Sequence, residues 1–212
     1  VGGDTGSTSA LRVLYDFGSQ FENDSICLGS KVGLRRDRYY VGGRCVFRND
    51  VDSILEEYHL SRYLSKDWIH AMEGCSAVVV VDHGKGLLTR ENTEALCEGA
   101  DKACVRVYLD SSSWPPAPGY KHLTMVKTGF RPETSVKGDT HEQQMELAND
   151  VAQWMEDSDT ELGIVTGPSR VAGINGDNIY TMQTQKVFVT DPVGAGDQFM
   201  SVVVAGMEQL DA

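Results

Sequence analysis

The run Ala77-Val-Val-Val-Val81 restricts this chain more than any other stretch. Consecutive β-branched residues put apolar side chains on both faces of an extended segment, so the strand must be covered from both sides. It ends at Asp82-His-Gly-Lys-Gly86, and a helical pattern follows from about Thr89, an N-cap residue, to Ala103. Further apolar runs lie at Val105 to Leu109, Leu123 to Val126, Leu162 to Thr166 and Val187 to Thr190. The capping box Thr140-x-x-Gln143 opens a helix to which Gln144, Met145, Ala148, Val151, Ala152 and Met155 give one face. Strands alternating with helices predict an α/β fold, a mostly parallel sheet flanked by helices with strand 77–81 at its centre.

Two hairpins stand apart from the alternation. Asn175-Gly-Asp-Asn178 separates Val171 to Ile174 from Ile179 to Met182. Earlier, Gly42-Gly43 joins two extended runs, predicting a small β lid over about 31–48, outside the main sheet. Apolar residues from Asp50 to Glu73 recur at three- and four-residue steps and predict a helix in two pieces. Ser111 to Tyr120 holds three prolines and reads as loop, with Trp114 as its anchor.

The formal charge of −12 argues against nucleic-acid or anionic-membrane partners, which call for a cationic surface. The longest apolar run is too short to span a bilayer, and no signal peptide is visible. Five cysteines without a C-x-x-C fit reduced thiols in a cytoplasmic protein. The histidines show no metal-ligand spacing. The chain opens at Val1 and closes within a helical pattern, and both ends read as cut.

The chemistry concentrates in Val187-Phe-Val-Thr190-Asp191-Pro-Val-Gly194-Ala-Gly196-Asp197. A strand delivers a glycine turn, and the turn opens a helix. The N–H groups of Gly194, Ala195 and Gly196 are then available to an anion, reinforced by the helix dipole. Asp197 stands beside them as a base. An anion hole next to a base is what transfer of a phosphoryl group to an alcohol requires. A capping acid after a glycine turn would explain a bare G-x-G-D; the complete strand–turn–helix run favours the catalytic reading.

Asp191-x-x-Gly-Ala-Gly-Asp197 resembles the C-terminal signature of the PfkB/ribokinase family of carbohydrate kinases. Val79-Val-Val-Asp82-His-Gly-Lys-Gly and the hairpin Arg38 to Asp50 resemble the "SDYGKG" and "GGQQLLR" segments of its heptose 7-phosphate kinases, which serve ADP-heptose synthesis; Val1-Gly-Gly-Asp4 is similar to "VGDD". The resemblance implies that the chain, 1–212, is a partial ribokinase-like domain with a lid hairpin and an anion-hole turn at 191–197. It implies Asp197 as catalytic base and Gly194, Ala195 and Gly196 as anion hole. Glu133 and Thr166 would serve the nucleotide, and Asp191 and Glu133 would stand at the metal. Asp82, Lys85 and Arg48 are candidates at the sugar; a turn with a solvated lysine and a lid salt bridge are the rival readings. ATP, Mg2+ and a monovalent cation are the implied cofactors, and a dimer the implied assembly.

Three departures stand out. "VDPKG" becomes Leu109-Asp110-Ser111-Ser112-Ser113, losing its lysine; "TPNxxE" becomes Thr128-Gly-Phe130-Arg-Pro-Glu133; and the nucleotide-side "T-x-G-x-x-G" becomes Thr166-Gly-Pro168-Ser-Arg-Val171. They favour a second reading, a kinase-like module that binds a ligand or a subunit without turnover. The intact turn and Asp197 favour an ATP-dependent sugar kinase.

Overall fold

A computed structural model describes residues 9–10, 29–30, 35–41, 44–51, 72, 74–84, 88–130, 140–185 and 194–210. The chain falls into two units, Val1–Glu56 and Glu57–Ala212. In the first, β1 (Ser9–Ala10) and β2 (Gly29–Ser30) form a short antiparallel pair. The Gly42-Gly43 signal joins β3 (Arg35–Val41) to β4 (Arg44–Val51) as an antiparallel hairpin with its own two-stranded sheet. Its register shifts between Tyr39 and Tyr40, a bulge that strengthens twist. Asp50 and Val51, expected at the start of a helix, belong instead to β4, where they pair with Arg36 and Arg35. Ladder pairing overrides the helical spacing there, and of the rest of that expected helix only Met72 lies among the described residues, in helix.

The second unit runs β5 (Ala77–Asp82), α1 (Arg90–Ala103), β6 (Arg106–Ser111), β7 (Met125–Gly129), α2 (Thr140–Ser158), β8 (Leu162–Thr166), β9 (Arg170–Asn175), β10 (Asn178–Gln183) and α3 (Ala195–Leu210). The sheet order is β10-β9-β8-β7-β6-β5. Strands β5 to β8 are parallel; β9 and β10 return antiparallel through the predicted Asn175–Asn178 hairpin.

Two expectations change. Strand 77–81 is not central: β5 ends the described sheet, and Val81 is 42% exposed. A run of valines reports burial better than sheet order, and β6 and β7 are the strands covered on both faces. The strand expected at 123–126 begins at Met125 and continues to Gly129, because its partners extend that far: Thr128 pairs with Ser111 and with Val165, and Gly129 with Thr166. The run 187–190 lies outside the described residues.

Alternation divides the core into two layers. Val107, Leu109 and Val126 join Leu96 and Ala100 of α1 and Ala148, Val151 and Met155 of α2 on one face. Tyr108 and Met125 turn to the other face, against Met200 and Val204 of α3. Thr89 caps α1 as expected, accepting the Asn92 N–H at 3.3 Å. Trp114 anchors its proline loop edge-on to Trp154, ring centres 5.7 Å apart. No helix among the described residues is long and apolar enough to cross a membrane.

Candidate functional site

The parallel register places Asp110 of β6 beside Lys127 of β7. Each lies two residues beyond an α3-facing side chain, Tyr108 and Met125 respectively, so the period of two turns both toward α3. There they form a buried ion pair: the ammonium donates to both carboxylate oxygens at 2.8 Å, and each side chain is 8% exposed. Neither charge is stable alone at that depth, so each requires the other.

The glycine turn rests on this pair. Gly194 sits at φ +79°, a left-handed conformation open to glycine at little cost. α3 begins one residue later, and its first internal bond runs from the Gln198 N–H to the Gly194 carbonyl at 2.9 Å. The N–H groups ahead of that bond have no acceptor within the helix. A Cβ added to Gly196 would stand 3.1 Å from Lys127 Nζ and 3.9 Å from Asp110 Oδ2. The absent side chain thus lets the helix start lie directly against an ammonium group. Partial positive charge from the turn lies beside the Lys127 ammonium, itself paired with Asp110.

Sequence reasoning missed Lys127. Its signal was a lysine inside a strand whose burial is otherwise that of a core segment, since an unpaired lysine there is untenable.

Asp197 lies in the first turn of α3 and is exposed; its backbone carbonyl accepts the Ser201 hydroxyl at 2.8 Å. Thr166 ends β8 at the same C-terminal edge of the sheet, where its hydroxyl donates to the Thr128 carbonyl at 3.3 Å. Its own carbonyl accepts the N–H of Phe130 at 2.6 Å. Residues 167–170, in which Gly167 is the one glycine, make a closed turn. The Gly167 N–H donates to the Arg170 carbonyl at 2.8 Å, and buried Gln144 of α2 donates to the carbonyls of Val165 and Arg170. With Pro168 lacking an N–H, that turn offers few donors to a ligand.

Asp82 ends β5, buried, and its Oδ1 accepts the Gly84 N–H at 2.7 Å. One oxygen therefore shapes the turn that follows. His83 Nδ1 and Ser112 Oγ lie 3.1 Å apart, linking the ends of β5 and β6. Nearby, burial and then the charge of Asp82 raise the Tyr120 hydroxyl above the usual tyrosine range. That hydroxyl is buried without a hydrogen-bond partner among the described residues. Burial also raises the Cys97 thiol, so it does not read as a reactive thiolate.

Arg48 lies in β4 opposite Arg38, in the other unit. Lys85, Glu133 and Asp191 lie outside the described residues. Among the described residues, no group of three or more His, Cys, Asp or Glu gathers as metal ligands.

No family model matches the chain, and no curated protein matches it in sequence. Solved structures do match in shape. Phosphofructokinase-2 from Escherichia coli in complex with potassium superposes with a TM-score of 0.56 at 15% identity, over 77% of this chain and 54% of that one. A ribokinase II from E. coli in complex with ATP and Mg2+ gives 0.52 at 11% identity, over 77% and 55%. A carbohydrate kinase from Agrobacterium tumefaciens gives 0.52 at 15%, over 78% and 52%. The chain spans about half the length of these structures. What they share with it is the ribokinase-like α/β fold, a six-stranded, mostly parallel sheet flanked by helices.

Proposed function

We propose that this chain carries the phosphoryl-transfer end of an ATP-dependent carbohydrate kinase. The observation that carries the reading is the glycine turn lying against the Lys127 ammonium, with Asp197 one residue further on. Asp197 takes the proton of the acceptor hydroxyl. The N–H groups of the turn, with Gly194, Ala195 and Gly196 as its backbone, stabilise charge on the transferring group. Lys127 adds a fixed cation that Asp110 holds in place before any ligand arrives, which is electrostatic preorganisation.

ATP supplies the phosphoryl group, and Mg2+ when bound would offset charge on the phosphate oxygens. The turn at Gly196 suits a phosphate, because its backbone comes close to the Lys127 ammonium with no side chain between them. Glu133 and Asp191 are proposed at the metal, and a monovalent cation near Asp191, the last in keeping with the potassium complex of phosphofructokinase-2. Thr166 at the sheet edge, with Glu133, is proposed on the nucleotide side. Asp82, Lys85 and Arg48 are proposed at the acceptor, a sugar or sugar phosphate of the heptose 7-phosphate kind, with dimerisation and a cytoplasmic setting as parts of the same proposal.

A second reading has one specific support, the closed turn at 167–170, where the Gly167 N–H is taken by the Arg170 carbonyl and Pro168 has no N–H to offer. It makes the chain a kinase-like binding module without turnover. A coupled ADP-release assay over a sugar and sugar-phosphate panel separates the two. Asp197→Asn is expected to lower kcat about 10²–10⁴-fold with nucleotide affinity nearly unchanged, since the amide keeps the shape but takes no proton. Turnover that survives this substitution would refute the role of Asp197; binding without any turnover supports the module.

A further inference from the structure

Along β6 the side chains facing α3 are Arg106, Tyr108 and Asp110, at intervals of about 6.6 Å. On α3 the matching row is Glu208, Val204, Met200 and Gly196, at intervals of about 6 Å. Helix and strand run in opposite senses, so the two rows lie side by side. Gly196 meets Asp110 and Lys127 at one end. Met200 and Val204 pack with Tyr108 and Met125 in the middle. At the far end Glu208 accepts from Arg106 Nη2 and from the Tyr108 hydroxyl, both at 2.7 Å, one bond to each oxygen.

A carboxylate in the last turn of a helix faces the negative end of the dipole, and α3 has no basic residue there. Glu208 is nonetheless 16% exposed and engaged at both oxygens, and Tyr108 is fully buried. The middle contacts are apolar and non-directional, so they add no polar bond that selects one register of the helix. At the near end a glycine presents no side chain to lock. Among the described residues, the side-chain hydrogen bonds from β6 to α3 are those at Glu208.

We propose that Glu208 is a positioning residue: it sets the axial register of α3 on β6. Through the helix it fixes where the glycine turn and Asp197 stand relative to Lys127, about 17 Å away. This rests on the kinase reading for its effect on turnover, but not for its effect on anion binding. A shift of one helical residue moves the turn by about 1.5 Å, enough to misplace an anion against a fixed ammonium.

The experiment compares Glu208→Ala, Glu208→Gln and Arg106→Met with Ile174→Val, a core truncation on the opposite face that serves as the stability control. Inorganic phosphate is titrated by amide chemical shifts at 194–197, and kcat and KM are measured on whichever sugar the wild type accepts. Glu208→Ala is expected to weaken phosphate binding and lower kcat by about tenfold each. Arg106→Met reproduces the effect from the strand side, and Glu208→Gln, which keeps an acceptor for Tyr108, falls between. Wild-type phosphate affinity in Glu208→Ala, or equal losses in Ile174→Val, overturns the proposal. A wild type that binds phosphate but phosphorylates no sugar sinks the kinase reading alone, and the titration still decides the role of Glu208. A wild type that binds no phosphate overturns both.

Discussion

Asp110→Asn and Lys127→Met each leave one buried charge without its partner. Both side chains are 8% exposed, and the ammonium reaches both carboxylate oxygens at 2.8 Å, so neither survivor has ready access to water. Breaking such a pair from one side costs about 3–5 kcal/mol. For a domain of this size each kcal/mol lowers Tm by about 2–4 °C, giving a fall of roughly 6–20 °C. The double variant Asp110→Leu with Lys127→Met removes both charges and fills the space with apolar atoms, so its Tm should return close to the wild type. Phosphate affinity should not return with it, because the cation beneath the glycine turn is gone. Thermal unfolding by circular dichroism and phosphate titration on the same four proteins give the two readouts. Single variants within about 2 °C of wild type would show that the pair is not buried and coupled as described. A double variant that binds phosphate as well as wild type would remove Lys127 from the site.

Much of the fold was legible because its signals are local. Leu162 to Thr166 and the Asn175–Asn178 turn stand where alternation and turn chemistry put them, and Thr89 caps α1. Sheet order was not legible, since Ala77 to Val81 advertises apolar faces without naming its neighbours, and β5 ends the described sheet. Asp50 and Val51 went astray for the same reason: pairing with Arg35 and Arg36 is a contact across the hairpin, invisible to a helical period. At the candidate site, the turn and Asp197 could be read from consecutive residues. The Asp110–Lys127 pair could not, because its partners are seventeen positions apart and meet only through the parallel register of β6 and β7. Glu208 and Arg106 are further apart still, joined by the antiparallel lie of α3 on the strand. Local chemistry was readable and the supporting shell was not.

Gly194→Ala places a Cβ on a residue at φ +79° and should destabilise by about 1–2 kcal/mol, read as a lower urea midpoint, while also weakening phosphate binding. An unchanged midpoint would mean the turn does not hold that conformation. Tyr120→Phe tests the buried hydroxyl, whose partner is absent among the described residues. Removing an unsatisfied polar atom from an apolar surround should leave stability unchanged or raise it by about 1 kcal/mol at neutral pH. The pH dependence gives the sharper test. Burial and the Asp82 charge raise the hydroxyl's pKa in the folded state above its unfolded value of about 10. Below that value both states hold the proton and the hydroxyl adds no slope. Above it the unfolded state releases the proton while the folded state retains it, so wild-type stability falls as pH rises. Tyr120→Phe cannot titrate, and its urea midpoint should decline less steeply through that alkaline range. A parallel decline in both proteins would show that Tyr120 ionises as freely when folded as when unfolded, and a loss above about 1 kcal/mol at neutral pH would show that its hydroxyl has a partner after all.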